Sequence, residues 1–139
     1  FSEAKGGGYF FFSTDRRFLV KTMSASELST LLSLLKPYCE YLKSNRSSLL
    51  NHILGAYSIT MYSQTKHFFV MDHLFGPSIP PVHEVFDLKG SWVDRHAPPG
   101  ATTRKDSDWP ASRTLHLPEG CDRHLLRVIR NDARFLCEN

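Results

Sequence analysis

Hydrophobic residues near the start of the chain form short runs that are separated by polar turns. The aromatic run Tyr9–Phe12 and the segment Phe18–Thr22 are typical of strands, and the short polar stretch Thr14–Arg16 lies between them. This pattern predicts an antiparallel hairpin. Because side chains alternate between the two faces of a strand, Leu19 and Lys21 are expected on the same face.

A helix is predicted after this hairpin. Ser24 and Glu27 have the spacing of a capping box, in which each residue satisfies a free backbone N–H group of the other. Four leucines follow at the spacing of one helical face: Leu28, Leu31, Leu32 and Leu35. Since proline has no N–H group, Pro37 is expected to end or kink the helix, with a second short helix over Tyr38–Ser44.

The middle of the chain repeats the hairpin pattern. Apolar segments at Ile53–Met61 and His67–Met71 flank the polar turn Ser63–Lys66. Glu84–Leu88 is one more predicted strand. Strands that are joined by short turns cannot be parallel, so the sheet is expected to be mainly antiparallel.

The last third of the chain combines a long loop with a helix. Residues 90–118 are rich in Pro, Gly, Asp and Ser and predict mostly loop. The segment Cys121–Cys137 predicts a helix with one apolar side, made of Leu125, Val128, Ile129 and Leu136. The whole pattern predicts an α+β fold, in which helices pack on one face of a mainly antiparallel sheet.

Composition narrows the class of protein. The chain of 139 residues is 41% hydrophobic and 22% charged, which excludes disorder for most of it. No apolar run reaches the ~20 residues of a membrane-spanning helix. The three cysteines and seven histidines lack metal-ligand spacing, which disfavours a zinc site or a disulfide framework and favours a reducing compartment. A net charge of +3 is too small to indicate nucleic acid by itself.

A glycine run and a strand lysine form the first candidate for chemistry. The run consists of Gly6, Gly7 and Gly8, and Lys21 follows on the next predicted strand. Protein-kinase-like folds cover the phosphates of ATP with a glycine-rich loop and reach them with a strand lysine. The alternative is an ordinary turn followed by a solvated lysine.

A second candidate is the end of the strand that precedes Gly76. The apolar residues Phe68–Met71 run into Asp72–Phe75. In a kinase-like fold the adenine-binding hinge lies here. The alternative is a core strand and its exit turn.

The segment Phe86–Ser91 is the third candidate. Alternation puts Asp87 and Lys89 on one side of an extended chain. A carboxylate oxygen suits Mg²⁺ and an ammonium group suits phosphate, so the pair is suited to a phosphate site. The alternative is a surface ion pair before a turn.

Taken in order, these segments resemble the phosphatidylinositol phosphate kinase family. The resemblance covers essentially the whole chain and is carried by six segments: Gly6–Ser13, Asp15–Met23, Leu54–Tyr57, Val70–Phe75, Phe86–Ser91 and Thr103–Asp108. The string Asp-Leu-Lys-Gly-Ser, which begins at Asp87, is the most characteristic of them. The predicted last helix resembles the one that precedes the family's catalytic motif.

The resemblance implies a role for each candidate residue, with ATP and Mg²⁺ as cofactors. Gly6–Gly8 would cover the phosphates of ATP, and Lys21 would contact its α- and β-phosphates. The hinge would consist of Met71, Asp72, His73, Leu74 and Phe75. The phosphate-transfer site would be lined by Asp87 and Lys89 and supported by Lys105 and Asp106.

The resemblance also implies the kind of domain. Residues 1–139 would form the N-terminal lobe of a protein-kinase-like, SAICAR synthase-like fold, with the C-terminal lobe absent. The strand before the glycine run is expected to be truncated or missing. The family's catalytic-aspartate motif would begin just after Asn139, and its metal-binding aspartate and substrate-selecting loop would come later, so this chain alone is expected to have no kinase activity.

The implied function of the parent protein is a lipid kinase that phosphorylates a phosphatidylinositol monophosphate, with phosphatidylinositol 4-phosphate and its 5-hydroxyl as the expected pair. The alternative is a non-catalytic kinase-like module that binds nucleotide or phosphoinositide, or that assembles with a partner, including a second copy of itself. An RNA-binding module fits less well, because the aromatic residues lie in apolar strands rather than in basic stacking motifs.

Basic residues form a stripe along the predicted last helix. Their spacing places four arginines on one side: Arg123, Arg127, Arg130 and Arg134. Such a stripe could face an anionic membrane, and a lipid substrate implies a cytoplasmic protein that binds membranes peripherally. The alternative is a solvated face that is paired with Asp122, Asp132 and Glu138.

Overall fold

The computed structural model describes the backbone of residues 2–4 and all of residues 8–139. The elements, in chain order, are β1 (Ser2–Ala4), β2 (Gly8–Phe12), β3 (Phe18–Met23), α1 (Ala25–Ser44), β4 (Ile53–Met61), β5 (Gln64–Asp72), β6 (Val85–Asp87), β7 (Thr103–Lys105) and α2 (Cys121–Glu138). They form two compact units. The first comprises Phe1–Ser78 and Glu119–Asn139, and the second Ile79–Pro118.

The first unit contains an antiparallel sheet of five strands in the order β1-β2-β3-β5-β4. Both predicted hairpins, β2–β3 and β4–β5, are present. The mainly antiparallel α+β prediction is therefore confirmed. The strand before the glycine run exists but is only three residues long, and it pairs with β2 through Ser2↔Phe10 and Glu3↔Tyr9.

Helix α1 begins as the sequence predicts. The Glu27 carboxylate accepts the backbone N–H of Ser24 at 2.7 Å, and the Ser24 hydroxyl accepts the N–H of Glu27 at 3.2 Å. Pro37 is predicted to end or kink this helix; it does not end it, and the predicted separate helix from Tyr38 is wrong. The helix continues without interruption to Ser44, because the residues after Pro37 are held by tertiary contacts of Tyr38 and Tyr41.

The buried side of α1 differs from the predicted leucine stripe. Leu32 and Leu35 are 56% and 40% exposed. Leu28 and Leu31 of the predicted stripe are half-buried, Leu34 is half-buried as well, and the buried Tyr38 continues their line. The helix has leucines at adjacent positions, so the sequence pattern alone is compatible with burying either of two neighbouring sides. Contacts with the rest of the unit therefore decide how the helix is rotated about its axis.

Helix α2 has the predicted position, but its buried side also differs. Val128, Asp132 and Phe135 are buried, whereas Ile129 and Leu136 of the predicted apolar side are exposed. The Phe135 ring stacks on the Tyr41 ring with 4.5 Å between centroids, which joins α2 to α1. No described helix is long and apolar enough to span a membrane.

In the second unit, β6 and β7 form a parallel pair with the register Phe86↔Arg104 and Asp87↔Lys105. A single 3₁₀ turn follows at Asp106–Asp108. The prediction that residues 90–118 are mostly loop holds except for β7 and this turn. A three-residue strand has too few positions to show an alternating pattern, and it forms only because β6 lies beside it.

Candidate active site

Lys21 lies in the middle of a row of side chains that crosses three strands. Phe10 pairs with Lys21 across β2 and β3, and Lys21 pairs with Phe69 across β3 and β5. Its ammonium nitrogen is 6.0 Å from the centroid of the Phe10 ring and 5.9 Å from that of Phe69. Two aromatic faces therefore hold the cation over the sheet.

A second row on the same face is apolar. Phe12 pairs with Leu19, and Leu19 pairs with Met71. Side chains two residues apart in a strand share a face, so this row lies directly beside the row of Lys21. The predicted shared face of Leu19 and Lys21 is confirmed. The result is an apolar row with two cations beside it, Lys21 in the neighbouring row and the Arg16 guanidinium 5.8 Å from the centroid of the Phe12 ring. Such a surface is suited to a planar base joined to an anionic group.

Lys21 has no carboxylate within 4 Å among the residues described. Glu27 interacts electrostatically with Lys21, but its carboxylate is already engaged in the capping box of α1. The hydrogen bonds from Ser24, aided by the charge of Lys21, hold the pKa of Glu27 below its usual value. The ammonium group of Lys21 is therefore available to an external anion.

A cleft with a volume of about 650 Å³ includes Gly8 and Lys21 in its lining. Most of its wall comes from the opposite face of the sheet, which carries Val20 and Phe68. None of the residues Met71–Phe75 lines it. The cleft therefore lies mainly on the face opposite the two rows and shares Lys21 with them, and the predicted hinge does not line it.

The predicted hinge is bonded to the preceding loops. The N–H of Asp72 donates to the carbonyl of His52 at 3.1 Å, and the N–H of His73 donates to that of Arg17 at 2.9 Å. The imidazole of His73 donates from Nδ1 to the Arg16 carbonyl at 2.8 Å. The N–H groups of Asp72 and His73 are therefore already engaged, whereas the side chains of Leu74 and Phe75 are exposed.

In the second unit, Asp106 organises the segment that contains Asp87 and Lys89. One oxygen of its buried carboxylate accepts the N–H groups of Lys89 and Gly90 at 2.9 and 2.8 Å. The other accepts Nε of Arg95 at 2.7 Å. Burial raises the pKa of Asp106, but these hydrogen bonds outweigh it and lower the pKa to about 2.

The side chains of Asp87 and Lys89 remain accessible. Asp87 is half-exposed, and Lys89 is exposed. Lys105 is the register partner of Asp87 in β7, so both lie on the same side of the two-stranded sheet. The second unit thus brings together Asp87, Lys89, Lys105 and Asp106, while Lys21 and the residues Met71–Phe75 lie in the first unit. Gly6 and Gly7 lie outside the described residues, and Gly8 begins β2.

The described residues do not form a metal site of their own. They contain no group of three or more His, Cys, Asp or Glu side chains that could hold a metal ion. The most accessible carboxylate of the predicted site, Asp87, has an Arg95 nitrogen 3.3 Å from its Oδ1 atom, and this cation competes with any metal. The described part of the chain therefore does not fit a resident Mg²⁺.

Sequence reasoning missed Arg95 and Asp132. Arg95 lies in the predicted loop, where no periodic signal marks it. Asp132 was considered only as a partner of the arginine stripe, but it is buried and bonds to Tyr41, Ser48 and the Leu49 N–H. Its spacing of four from Val128 and three from Phe135 places it on their side of the helix, and that spacing was the available signal.

The arginine stripe on α2 lies away from the buried side of that helix. Arg123, Arg127, Arg130 and Arg134 are all exposed. Among the residues that the structure describes, none of the four forms an ion pair with a carboxylate, and the guanidinium of Arg127 donates to His124 Nδ1 at 3.1 Å. The face is solvated, as the alternative interpretation predicts, but the pairing with Asp122, Asp132 and Glu138 is not seen among the described residues.

The comparisons with known proteins agree with the resemblance. A family model described as phosphatidylinositol-4-phosphate 5-kinase matches residues 1–139. The chain is 35% identical over 126 residues to phosphatidylinositol 4-phosphate 5-kinase its3 of Schizosaccharomyces pombe, which covers 86% of this chain and 17% of the relative.

Two further relatives differ from each other in the lipid substrate that their names state. Phosphatidylinositol 4-phosphate 5-kinase 9 of Arabidopsis thaliana is 34% identical over 140 residues, covering 97% of this chain and 17% of the relative. Phosphatidylinositol 5-phosphate 4-kinase type-2 beta of Homo sapiens is 29% identical over 144 residues, covering 99% of this chain and 34% of the relative. The chain therefore spans about a third or less of the length of these relatives.

Proposed function

Because the chain belongs to the phosphatidylinositol-4-phosphate 5-kinase family, we propose that it forms the nucleotide-binding lobe of a lipid kinase. The reaction transfers the γ-phosphoryl group of ATP to a hydroxyl of the inositol ring of a phosphatidylinositol monophosphate. Members of a kinase family use ATP as the donor, and the lobe is the N-terminal one of a protein-kinase-like fold.

The observation that carries the proposal is the pair of rows on one face of the first sheet. The adenine ring is proposed to lie on the apolar row of Phe12, Leu19 and Met71, close to Leu74 and Phe75. The phosphates then extend toward the row of Lys21, whose cation has no carboxylate partner among the described residues. Phosphoryl transfer depends mainly on positioning and on neutralising the charge of the peripheral oxygens, and Lys21 supplies both.

The proposed lipid substrate is phosphatidylinositol 4-phosphate, with the 5-hydroxyl as acceptor. Support comes from the description of the matching family model and from the names of the yeast and plant relatives. Mg²⁺ is proposed to arrive with the nucleotide. It would offset phosphate charge, and the residues described do not hold it by themselves.

The test is a radiolabelled ATP assay of the full-length protein with the three phosphatidylinositol monophosphates. The expected product is a bisphosphate from the 4-phosphate, identified by its position of phosphorylation. Lys21→Met is expected to lower kcat/KM by about 100-fold or more, since it removes the cation that neutralises phosphate charge. The matched control is Lys66→Met, a strand lysine on the opposite face, which should stay within about twofold of the unsubstituted protein.

A non-catalytic binding module is the second candidate. It is favoured by the contact of Arg95 with Asp87, which engages the most accessible carboxylate of the predicted site. The same preparation distinguishes the two. Stoichiometric ATP binding that Lys21→Met abolishes, with no labelled lipid from any of the three substrates, would establish the binding module and refute the kinase.

A further inference from the structure

We propose that Arg95 and Asp106 are positioning residues, which together hold Asp87 and Lys89 in the arrangement that phosphoryl transfer requires. This inference rests on the proposed kinase function, in which Asp87 and Lys89 line the phosphate-transfer site. For this role neither Arg95 nor Asp106 has to touch the substrate.

The first step is that both residues are buried while the two residues they hold are accessible. Arg95 is 8% exposed and Asp106 6%, whereas the side chain of Asp87 is 50% exposed. A buried ion pair contributes little net stability, but removing one partner leaves an uncompensated buried charge. Removing either Arg95 or Asp106 is therefore expected to disturb the residues around the other one.

The second step is that the pair contacts both ends of the Asp87–Gly90 segment. The Asp106 carboxylate accepts the N–H groups of Lys89 and Gly90, as described above. The guanidinium of Arg95 donates from Nη2 to the backbone carbonyl of Asp87 and lies 3.3 Å from its Oδ1 atom. A planar guanidinium can make these contacts and bind Asp106 through Nε at the same time, which an ammonium group cannot reproduce in full.

The third step is the turn that follows. Gly90 has a φ of +66°, a conformation that glycine adopts readily, and its N–H points at Asp106. The backbone is therefore bonded on both sides of Lys89, which defines the point from which its side chain extends. Misplacing a reacting group by about 1 Å can cost a factor of about 100 in rate, so this restraint is large enough to matter for catalysis.

The first test measures the geometry in the 139-residue chain. Two-dimensional ¹H–¹⁵N NMR reports the amides of Lys89 and Gly90. Arg95→Met is expected to shift both amide protons and to speed their hydrogen exchange by about tenfold or more. The matched control is Arg104→Met, which removes an arginine of the same unit that pairs with Glu84 instead. It should leave both amides unchanged.

The second test measures turnover in the full-length protein. Arg95→Met is expected to lower kcat by about tenfold or more, while the stoichiometry of ATP binding and the KM for ATP stay unchanged. Arg95→Lys is expected to recover part of this loss in kcat. If Arg95 acts by positioning Lys89, its substitution should cost at least about threefold less in a Lys89→Met background. A residue that only stabilises the fold would lower activity by the same factor in both backgrounds.

The outcomes separate the two proposals. Equal fold losses in the two backgrounds, or full activity of Arg95→Met despite shifted Lys89 and Gly90 amides, would overturn the positioning role. No lipid phosphorylation by the unsubstituted protein would overturn the proposed kinase function, and the positioning role with it.

Discussion

Asp132 shows how a single buried carboxylate joins separate parts of the first unit. It accepts hydrogen bonds from the Tyr41 hydroxyl at 2.7 Å, the Ser48 hydroxyl at 2.8 Å and the Leu49 N–H at 2.7 Å. Burial raises the pKa of Asp132, but these bonds outweigh it, so that the pKa is lowered overall. Burial and the hydrogen bond to Asp132 raise the pKa of Tyr41 to about 12.

Removing this carboxylate should destabilise the chain. Asp132→Ala leaves three donors without an acceptor and is expected to lower the free energy of unfolding by about 2–4 kcal/mol, measured by urea denaturation. Glu138→Ala on the same helix, which removes an exposed carboxylate, should change it by less than about 0.5 kcal/mol. Equal effects of the two substitutions would show that the buried bonds contribute nothing.

The same pair predicts how stability depends on pH. The pKa of Asp132 is depressed in the folded state, so its contribution is present above the unfolded value and is lost as the pH falls through the folded pKa. The raised pKa of Tyr41 works in the opposite direction, and its contribution declines as the pH rises from about 10 to about 12. Unfolding curves from pH 3 to 11 test both limbs, and Tyr41→Phe should flatten the alkaline limb.

At the scale of elements, α1 shows both the strength and the limit of local rules. The capping box at Ser24 and Glu27 forms as predicted, because its hydrogen bonds join residues three apart in the chain. The prediction that the helix ends at Pro37 fails, because that rule considers only the helix itself. Contacts of Tyr38 with the Asn51 carbonyl and the Ile53 N–H, and of Tyr41 with Asp132, hold the last two turns in place.

A substitution at Pro37 tests this explanation. Pro37→Ala restores one helical N–H donor without changing the contacts of Tyr38, and should raise the free energy of unfolding by about 1–3 kcal/mol. Chemical denaturation measures the change, with Lys36→Ala as the neighbouring exposed control. A loss of stability in Pro37→Ala would mean that the proline ring itself makes a contact that the chain needs.

At the scale of the whole molecule, the distribution of charge matters more than its sum. The net charge is only +3, yet α2 alone presents four exposed arginines along one side. We propose that this side contacts anionic lipid, which would hold the protein peripherally at a cytoplasmic membrane surface. Each basic residue near such a surface contributes about 1 kcal/mol.

Vesicle binding tests this surface. The triple variant Arg123→Gln, Arg130→Gln and Arg134→Gln spares Arg127, which contacts His124. It should bind phosphatidylserine vesicles at least about tenfold more weakly, and the difference should shrink in high salt. The control is the triple variant Lys36→Gln, Lys43→Gln and Lys66→Gln, which changes the net charge by the same amount outside α2. It should weaken vesicle binding less. Equal weakening by the two variants would rule out a specific role for α2.

Short-range patterns in the sequence were sufficient to predict the hairpins, the cap of α1, the position of α2 and the shared face of Leu19 and Lys21. The order of the motifs was sufficient to identify the family. Each depends on residues a few positions apart, or on motifs in a fixed order, so the linear chain carries the full signal. The resemblance also predicts Asp87, Lys89 and Asp106 as site residues, which stays a prediction, and it could not say how Asp106 is bonded.

Only the tertiary structure decided which sides of α1 and α2 are buried, that α1 passes through Pro37, and that Arg95 joins Asp106 to Asp87. These features depend on free energies of contact between residues far apart in the chain. The contacts of the buried Tyr38 and Asp132 outweigh the free-energy cost of a proline inside the helix. The donors that bond to a buried carboxylate are those that the fold places beside it. The spacing of Asp132 from Val128 and Phe135 indicates its side of the helix, but the sequence pattern does not show which donors it meets or that α1 continues through Pro37.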